Sequence, residues 1–219
     1  MHIRPFSSVA AVLIAVWFTT APAAQQRDPK QYQQTLENAD RVAALQVDRV
    51  IATLGVSAGM RIADLGAGSG VFTIPLGRAA GATGKVFAID IDAGLLAIVT
   101  EKAKAAGLAN ILPIIAGPMD PKVPEPVDLI FICDTMHHLP SQAEYVRQFG
   151  RLLKPGGRVA IIDFAPGRWP SGHESFTITP AHVDGWMKAA GFARTASHDF
   201  LATNFFQVYE RAALRSGAR

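Results

Sequence analysis

Ile62-Ala63-Asp64-Leu65-Gly66-Ala67-Gly68-Ser69-Gly70-Val71-Phe72-Thr73 decides how the rest of the chain is read. Arg61 to Leu65 is a short apolar strand. Gly66, Gly68 and Gly70 make a turn, and a helix follows near Val71 to Ala80. Strand, glycine-rich turn and helix start together form a binding device: glycine lets the backbone approach a ligand, and the first N–H groups of a helix point outward at it. Taken alone, the glycines also fit a plain tight turn. Two features argue for more. The spacing G-x-G-x-G is one residue tighter than the G-x-G-x-x-G of dinucleotide-binding loops. An acid, Asp64, stands two positions before the first glycine. Pro75 fits only the first turn of a helix, so the helix starts late, near Thr73, or is kinked.

Downstream, apolar strands and amphipathic helices alternate. Lys85 to Ile91 reads as a strand reaching Asp90, which lies 20 residues after Gly70. An acid at the end of a second strand can accept both ribose hydroxyls of an adenosine. Ala93 to Ala106 is a helix, Ile111 to Ile115 a strand, and Val127 to Cys133 a strand apolar enough to be buried on both faces. Gln142 to Leu153 follows as a helix, Lys154-Pro155-Gly156-Gly157 as a turn, and Arg158 to Phe164 as a strand. Thr179-Pro180 caps and starts a helix to Ala190. Arg194 to Phe200 and Phe205 to Tyr209 close the chain as an antiparallel pair. The expected fold is α/β: a Rossmann-like open sheet of mostly parallel strands, a C-terminal antiparallel hairpin, and helices on both faces.

Upstream, Asp40 to Leu54 has the spacing of one amphipathic helix capped by Asp40. Gln25 to Tyr32 is polar and reads as loose, and Tyr32 to Asp40 has helical spacing, with Tyr32, Leu36 and Ala39 on one stripe. Residues 1–23 carry a short positive start, the apolar run Val9 to Phe18, and small residues at Ala21 and Ala23. That is the pattern of a signal peptide cleaved after Ala23, with an uncleaved anchor as the alternative. The expected organisation is 1–23 signal peptide, 24–39 linker or lid, 40–210 folded domain and 211–219 flexible tail. Export to the periplasm or beyond follows from this reading, and membrane contact only if the segment is retained.

The glycine stretch resembles motif I of the class I S-adenosylmethionine-dependent methyltransferases, and the resemblance extends over nearly everything past Asp40. It implies S-adenosyl-L-methionine as cofactor. Asp64, Gly66, Ala67, Gly68 and Gly70 would hold its methionine end, Asp90 the ribose, and Ile91 the adenine. Gly117 and Asp134 would complete the cofactor contacts. The family often has Gly-Asp after the third strand. Here Gly117-Pro118-Met119-Asp120 places Pro118 at the acid's position, with Asp120 as an alternative. Asp134-Thr135-Met136-His137-His138-Leu139 resembles the segment after strand four in small-molecule methyltransferases of the quinone-biosynthetic kind. The N-terminal helical segment of the family lies over the site, which makes Tyr32, Glu37 and Arg41 candidate substrate contacts, against a plain solvated face.

The implied reaction is methyl transfer to a small-molecule acceptor. His137 and His138 are the candidate bases, because imidazole titrates near neutrality. Trp169 and Phe176 are candidate walls of an acceptor pocket. Asp163 joins Asp64, Asp90 and Asp134 as a fourth acid at a strand end. The net charge of +3 without a basic run argues against a nucleic-acid substrate. The single cysteine, Cys133, rules out an internal disulfide or a cysteine-based metal site, and no histidine spacing favours a metal. A nucleotide-dependent oxidoreductase lacks its G-x-G-x-x-G, whereas a non-catalytic binder of adenosyl compounds stays open. Oligomeric state is not readable.

Overall fold

The computed structural model describes residues 28–171 and 177–213. The expected signal peptide, His173, Phe176 and the last six residues lie outside them. A seven-stranded sheet runs β3-β2-β1-β4-β5-β7-β6. Its strands are β1 (Arg61–Leu65), β2 (Lys85–Asp90), β3 (Ile111–Ile115), β4 (Val127–Cys133), β5 (Leu153–Phe164), β6 (Phe192–His198) and β7 (Asn204–Arg211). β1 to β5 pair in parallel, and β7 is antiparallel to both β5 and β6. The expected fold is present. The order reverses beside β1, so ligands are expected at the carboxyl ends of β1, β2 and β4.

Strand alternation explains the two cores. Ile62 joins α3 (Val47–Thr53), α4 (Thr73–Ala80) and α5 (Ala93–Ala105) on one face. Ala63 and Leu65 turn to α6 (Gln142–Tyr145), α7 (Phe149–Leu152) and α8 (Pro180–Ala189) on the other. α4 starts at Thr73, which keeps Pro75 in the first turn, where its missing N–H costs nothing. α8 begins with a capping box between Thr179 and His182.

Several boundaries differ from expectation. The single helix from Asp40 to Leu54 is two helices, α2 (Ala39–Leu45) and α3, broken at Gln46 in a left-handed conformation. The Gln46 amide donates to Phe200 O at 2.7 Å, which holds the break in place. Asn38, not Asp40, caps α2. The helical spacing expected from Tyr32 is present but starts earlier, as α1 (Pro29–Leu36), capped by Asp28 inside the stretch read as loose. The helix expected over Gln142 to Leu153 is broken by a 3-10 turn at Val146–Gln148. β5 begins at Leu153, and Lys154 to Gly157 bulge out where the register to β4 shifts. Arg211 does not belong to a loose tail: it ends β7 and its guanidinium donates to the carbonyls of Gly150 and Leu153.

Candidate functional site

The glycine loop closes the carboxyl end of β1. Gly66, Gly68 and Gly70 all have positive φ (77°, 53° and 86°), which side chains rarely adopt. At Gly66 a Cβ would also overlap Thr135, the residue that follows Asp134. The loop's own N–H groups are largely spent inside the protein. Gly66 and Ala67 donate to Ile89 O, Gly70 donates to Ala67 O, and Gly68 donates to Asp90 Oδ2 at 2.8 Å. These four N–H groups are spent within the fold. The loop is pinned to the end of β2.

Asp90 does the pinning. Its Oδ2 accepts from Gly68 and its Oδ1 from the Asp92 N–H at 3.0 Å. Each carboxylate oxygen keeps a second lone pair, so acceptance from two further hydroxyls remains chemically open. Burial pushes its pKa up, against the pull of these hydrogen bonds. Ile91, the next residue, is 74% exposed. A bare isoleucine at the rim of a polar loop is a flat apolar surface with nothing described over it. Ile115 is also exposed and stands in register opposite Asp90. Gly117 closes a tight turn with Asp120, whose carboxylate accepts from the Lys122 N–H at 2.9 Å.

Asp64 differs from its expected placement. It is 3% exposed, turned inward under the loop, and accepts from the Thr73 hydroxyl at 2.6 Å. Desolvation pushes its pKa from 3.8 up to about 7, with the nearby Asp90 charge adding and the Thr73 bond opposing. Asp64 can act on a bound cation only through space.

At the end of β4, Asp134 sits at φ 48°, an uncommon conformation for a residue with a side chain. Both carboxylate oxygens are held. Arg41 of α2 pairs with Oδ2 at 2.6 Å, and Asn204 of β7 donates to Oδ1 at 2.7 Å. Burial raises the Asp134 pKa while the Arg41 charge opposes it. The solvated-face reading of Arg41 and Glu37 therefore fails: Arg41 ties α2 to β4, and Glu37 pairs with Lys102 at 3.1 Å.

His137 and His138 lie on a 3-10 turn with their ring centroids 4.0 Å apart, yet their exposure differs. His137 is 2% exposed and His138 is exposed. His137 Nδ1 lies 2.8 Å from Asp163 Oδ1, and its backbone N–H reaches Asp163 Oδ2 at 3.2 Å. A carboxylate only accepts, so Nδ1 carries the proton and Nε2 is the basic nitrogen. Phe164 and Trp169 pack their rings on His137. Arg41 was a candidate substrate contact and is found paired with Asp134; Asn204, Lys102 and Thr73 were not legible as site residues. Asn204 alone left a trace, as a polar side chain opening an apolar strand.

Residues 62–157 match the family described as "Methyltransferase domain". The demethylmenaquinone methyltransferase of Staphylococcus aureus (strain MRSA252) is 31% identical over 116 residues, 52% of this chain and 47% of that protein. The chain spans about half the length of the curated relatives it matches. A SAM-dependent methyltransferase from Aquifex aeolicus superposes with a TM-score of 0.73 at 24% identity, covering 84% of this chain and 98% of that one. Magnesium protoporphyrin IX methyltransferase from Synechocystis PCC 6803, solved with bound SAM, gives 0.62 at 18% identity over 88% and 100%. At these identities the likeness shows the fold: the Rossmann-like sheet of the class I methyltransferases.

Proposed function

We propose that this methyltransferase-fold chain binds S-adenosylmethionine at the ends of β1 and β2 and transfers its methyl group to a small-molecule acceptor. One observation carries the reading: Asp90 fastens the Gly66–Gly70 loop while the uncovered Ile91 stands beside it. A carboxylate next to a bare apolar surface fits a ribose joined to an adenine. The residues present fit the cofactor's charge as well, since Asp64, Asp90 and Asp134 gather acids on one edge. When bound, the cofactor supplies an electrophilic methyl on a sulfonium.

The chain's own residues would then do three things. Asp90 holds the ribose hydroxyls, and Ile91 covers one face of the adenine. Asp64 and Asp134 stabilise positive charge, strongly so because the site is partly dry. His137, fixed in one tautomer by Asp163, takes a proton from the acceptor at Nε2. His137 has its ring nitrogen held by the buried Asp163, and the base assignment is placed on it. Ile115 and Gly117 border the adenine end.

Titration of the purified chain with S-adenosylmethionine and S-adenosylhomocysteine by calorimetry tests the cofactor site. Saturable binding of both, lost in Asp90→Ala, is expected. Absence of heat for either ligand refutes the reading. Incubation with labelled cofactor and a lysate, with and without membranes, then finds the acceptor, and binding without transfer would favour a non-catalytic binder. Export by residues 1–23 is a separate proposal. N-terminal sequencing of the product from a secretion-competent host should begin near Ala24, and an intact cytosolic chain overturns it.

A further inference from the structure

The cofactor half and the acceptor half of the site meet at the end of β4. On the cofactor side, Thr135 fills the space that a Cβ on Gly66 would need. On the acceptor side, the Asp134 N–H donates to Ile162 O at 3.0 Å, one residue before the Asp163 that orients His137. Asp134 therefore stands between the glycine loop and the His137–Asp163 pair, the stretch that methyl transfer has to bridge. Its side chain is 8% exposed, so water and salt screen its charge little.

Two residues hold the Asp134 carboxylate, and they hold it differently. Arg41 comes with one arm of its fork: Nη2 meets Oδ2 at 2.6 Å, while Nη1 donates to Leu36 O at 2.7 Å. Asn204 donates from its side-chain amide to Oδ1 at 2.7 Å. A carboxylate only accepts, so the NH2 of Asn204 faces Asp134 and its own Oδ1 faces away. There the Thr203 hydroxyl donates to it at 2.7 Å. The amide is thus oriented by chemistry from both sides. Asn204 is 4% exposed and opens β7, in register with Phe164. The turn before it is tied to the end of β5, because the Ala165 N–H donates to Thr203 O at 2.9 Å.

The two partners differ in what they do to the charge. A guanidinium matches both oxygens of a carboxylate at once, and in that two-armed geometry it offsets most of the negative charge. Asn204 occupies Oδ1 and leaves Arg41 with Oδ2. An amide carries no net charge, so it orients Asp134 without neutralising it. We infer that Asn204 is a positioning residue: by holding Oδ1 it keeps the Asp134 carboxylate from closing onto Arg41 and turns its charge to the cofactor's sulfonium. The Thr203 hydroxyl is the second member of the pair, since it aims the amide. The inference rests on the cofactor reading above and adds a source of selectivity to it. S-adenosylhomocysteine, the spent cofactor, is a neutral thioether at sulfur and offers Asp134 no charge to meet there.

The measurement is the ratio of the dissociation constants of S-adenosylhomocysteine and S-adenosylmethionine, read by calorimetry on wild type, Asn204→Leu, Asn204→Gln and Thr203→Val. A residue that only packs moves both affinities together, whereas one that aims a charge moves the ratio. Asn204→Leu keeps a branched side chain and loses the donor. It is expected to weaken S-adenosylmethionine about ten-fold more than S-adenosylhomocysteine. Thr203→Val releases the amide and should move the ratio the same way by a few-fold. Asn204→Gln retains a donor and should restore part of the ratio. In an Asp134→Asn background the charge is gone, and Asn204→Leu should leave the ratio where it is. Thr203 is half-buried, so Thr203→Val reports on the inference even if Asn204→Leu fails to fold. Equal weakening of both ligands by a folded Asn204→Leu overturns the inference and leaves the cofactor site standing. So does an unmoved ratio in Thr203→Val when Asn204→Leu is unfolded, or a ratio that still shifts in the Asp134→Asn background. Failure of the wild type to bind either ligand overturns both.

Discussion

Replacing Asp64 with Asn would isolate the cost of one buried charge. Asp64 lies under the glycine loop at 3% exposure, with the Thr73 hydroxyl donating to Oδ2. An Asn carbonyl can keep that hydrogen bond, so shape and bonding change little while the charge goes. The folded-state pKa of Asp64 is about 7 and its ordinary value 3.8. The native state therefore keeps a proton that the unfolded chain releases. The stabilising contribution is fully present below about pH 4 and is lost as pH rises through about 7. A difference of about three pH units between the two titrations is worth about 4 kcal/mol. Asp64→Asn should thus match wild type below about pH 4 and exceed it by up to about 4 kcal/mol at pH 8. Urea unfolding at intervals from pH 4.5 to 8.5 measures the gap, and subtraction of the two curves removes the contributions of groups not coupled to Asp64. A gap that does not widen with pH would refute a desolvated Asp64. The same substitution should weaken S-adenosylmethionine more than S-adenosylhomocysteine, because only the former carries a sulfonium.

Asp90→Ala should weaken S-adenosylmethionine and S-adenosylhomocysteine alike by about 1.5–3 kcal/mol, roughly 10- to 100-fold, for loss of charge-assisted hydrogen bonds. Unchanged calorimetric affinity would remove Asp90 from the site. Gly66→Ala combines an unfavourable φ of 77° with overlap on Thr135, so its urea midpoint should fall by at least about 2 kcal/mol of stability. An unaltered midpoint would show that Thr135 yields freely. Once an acceptor is known, His137→Gln and Asp163→Asn should both lower turnover with cofactor affinity within a few-fold. His138→Gln should leave turnover near wild type. Full activity in His137→Gln would return the His137–Asp163 pair to a packing role.

The order of strands and helices was legible because each element announces itself locally. Alternating apolar strands, 3.6-residue stripes and glycine or proline stops need no knowledge of the rest of the chain. β1, β3 and β4 appear with the expected ends for that reason. Asp90 reaches the glycine loop across 22 positions, because β1 and β2 pair in parallel and end side by side. The break at Gln46 was hidden, as no glycine or proline marks it; a carbonyl 154 positions away stabilises it. The inward turn of Asp64 depends on Thr73 and on how deeply α4 packs. The Arg41–Asp134 and Asn204–Asp134 contacts bridge 93 and 70 positions. Charge pairs of this kind form only when the sheet brings the ends of β4 and β7 together beneath α2. A sequence determines which charged side chains exist. The energy of each depends on its distance, partner and exposure to water, and the tertiary structure alone decides those.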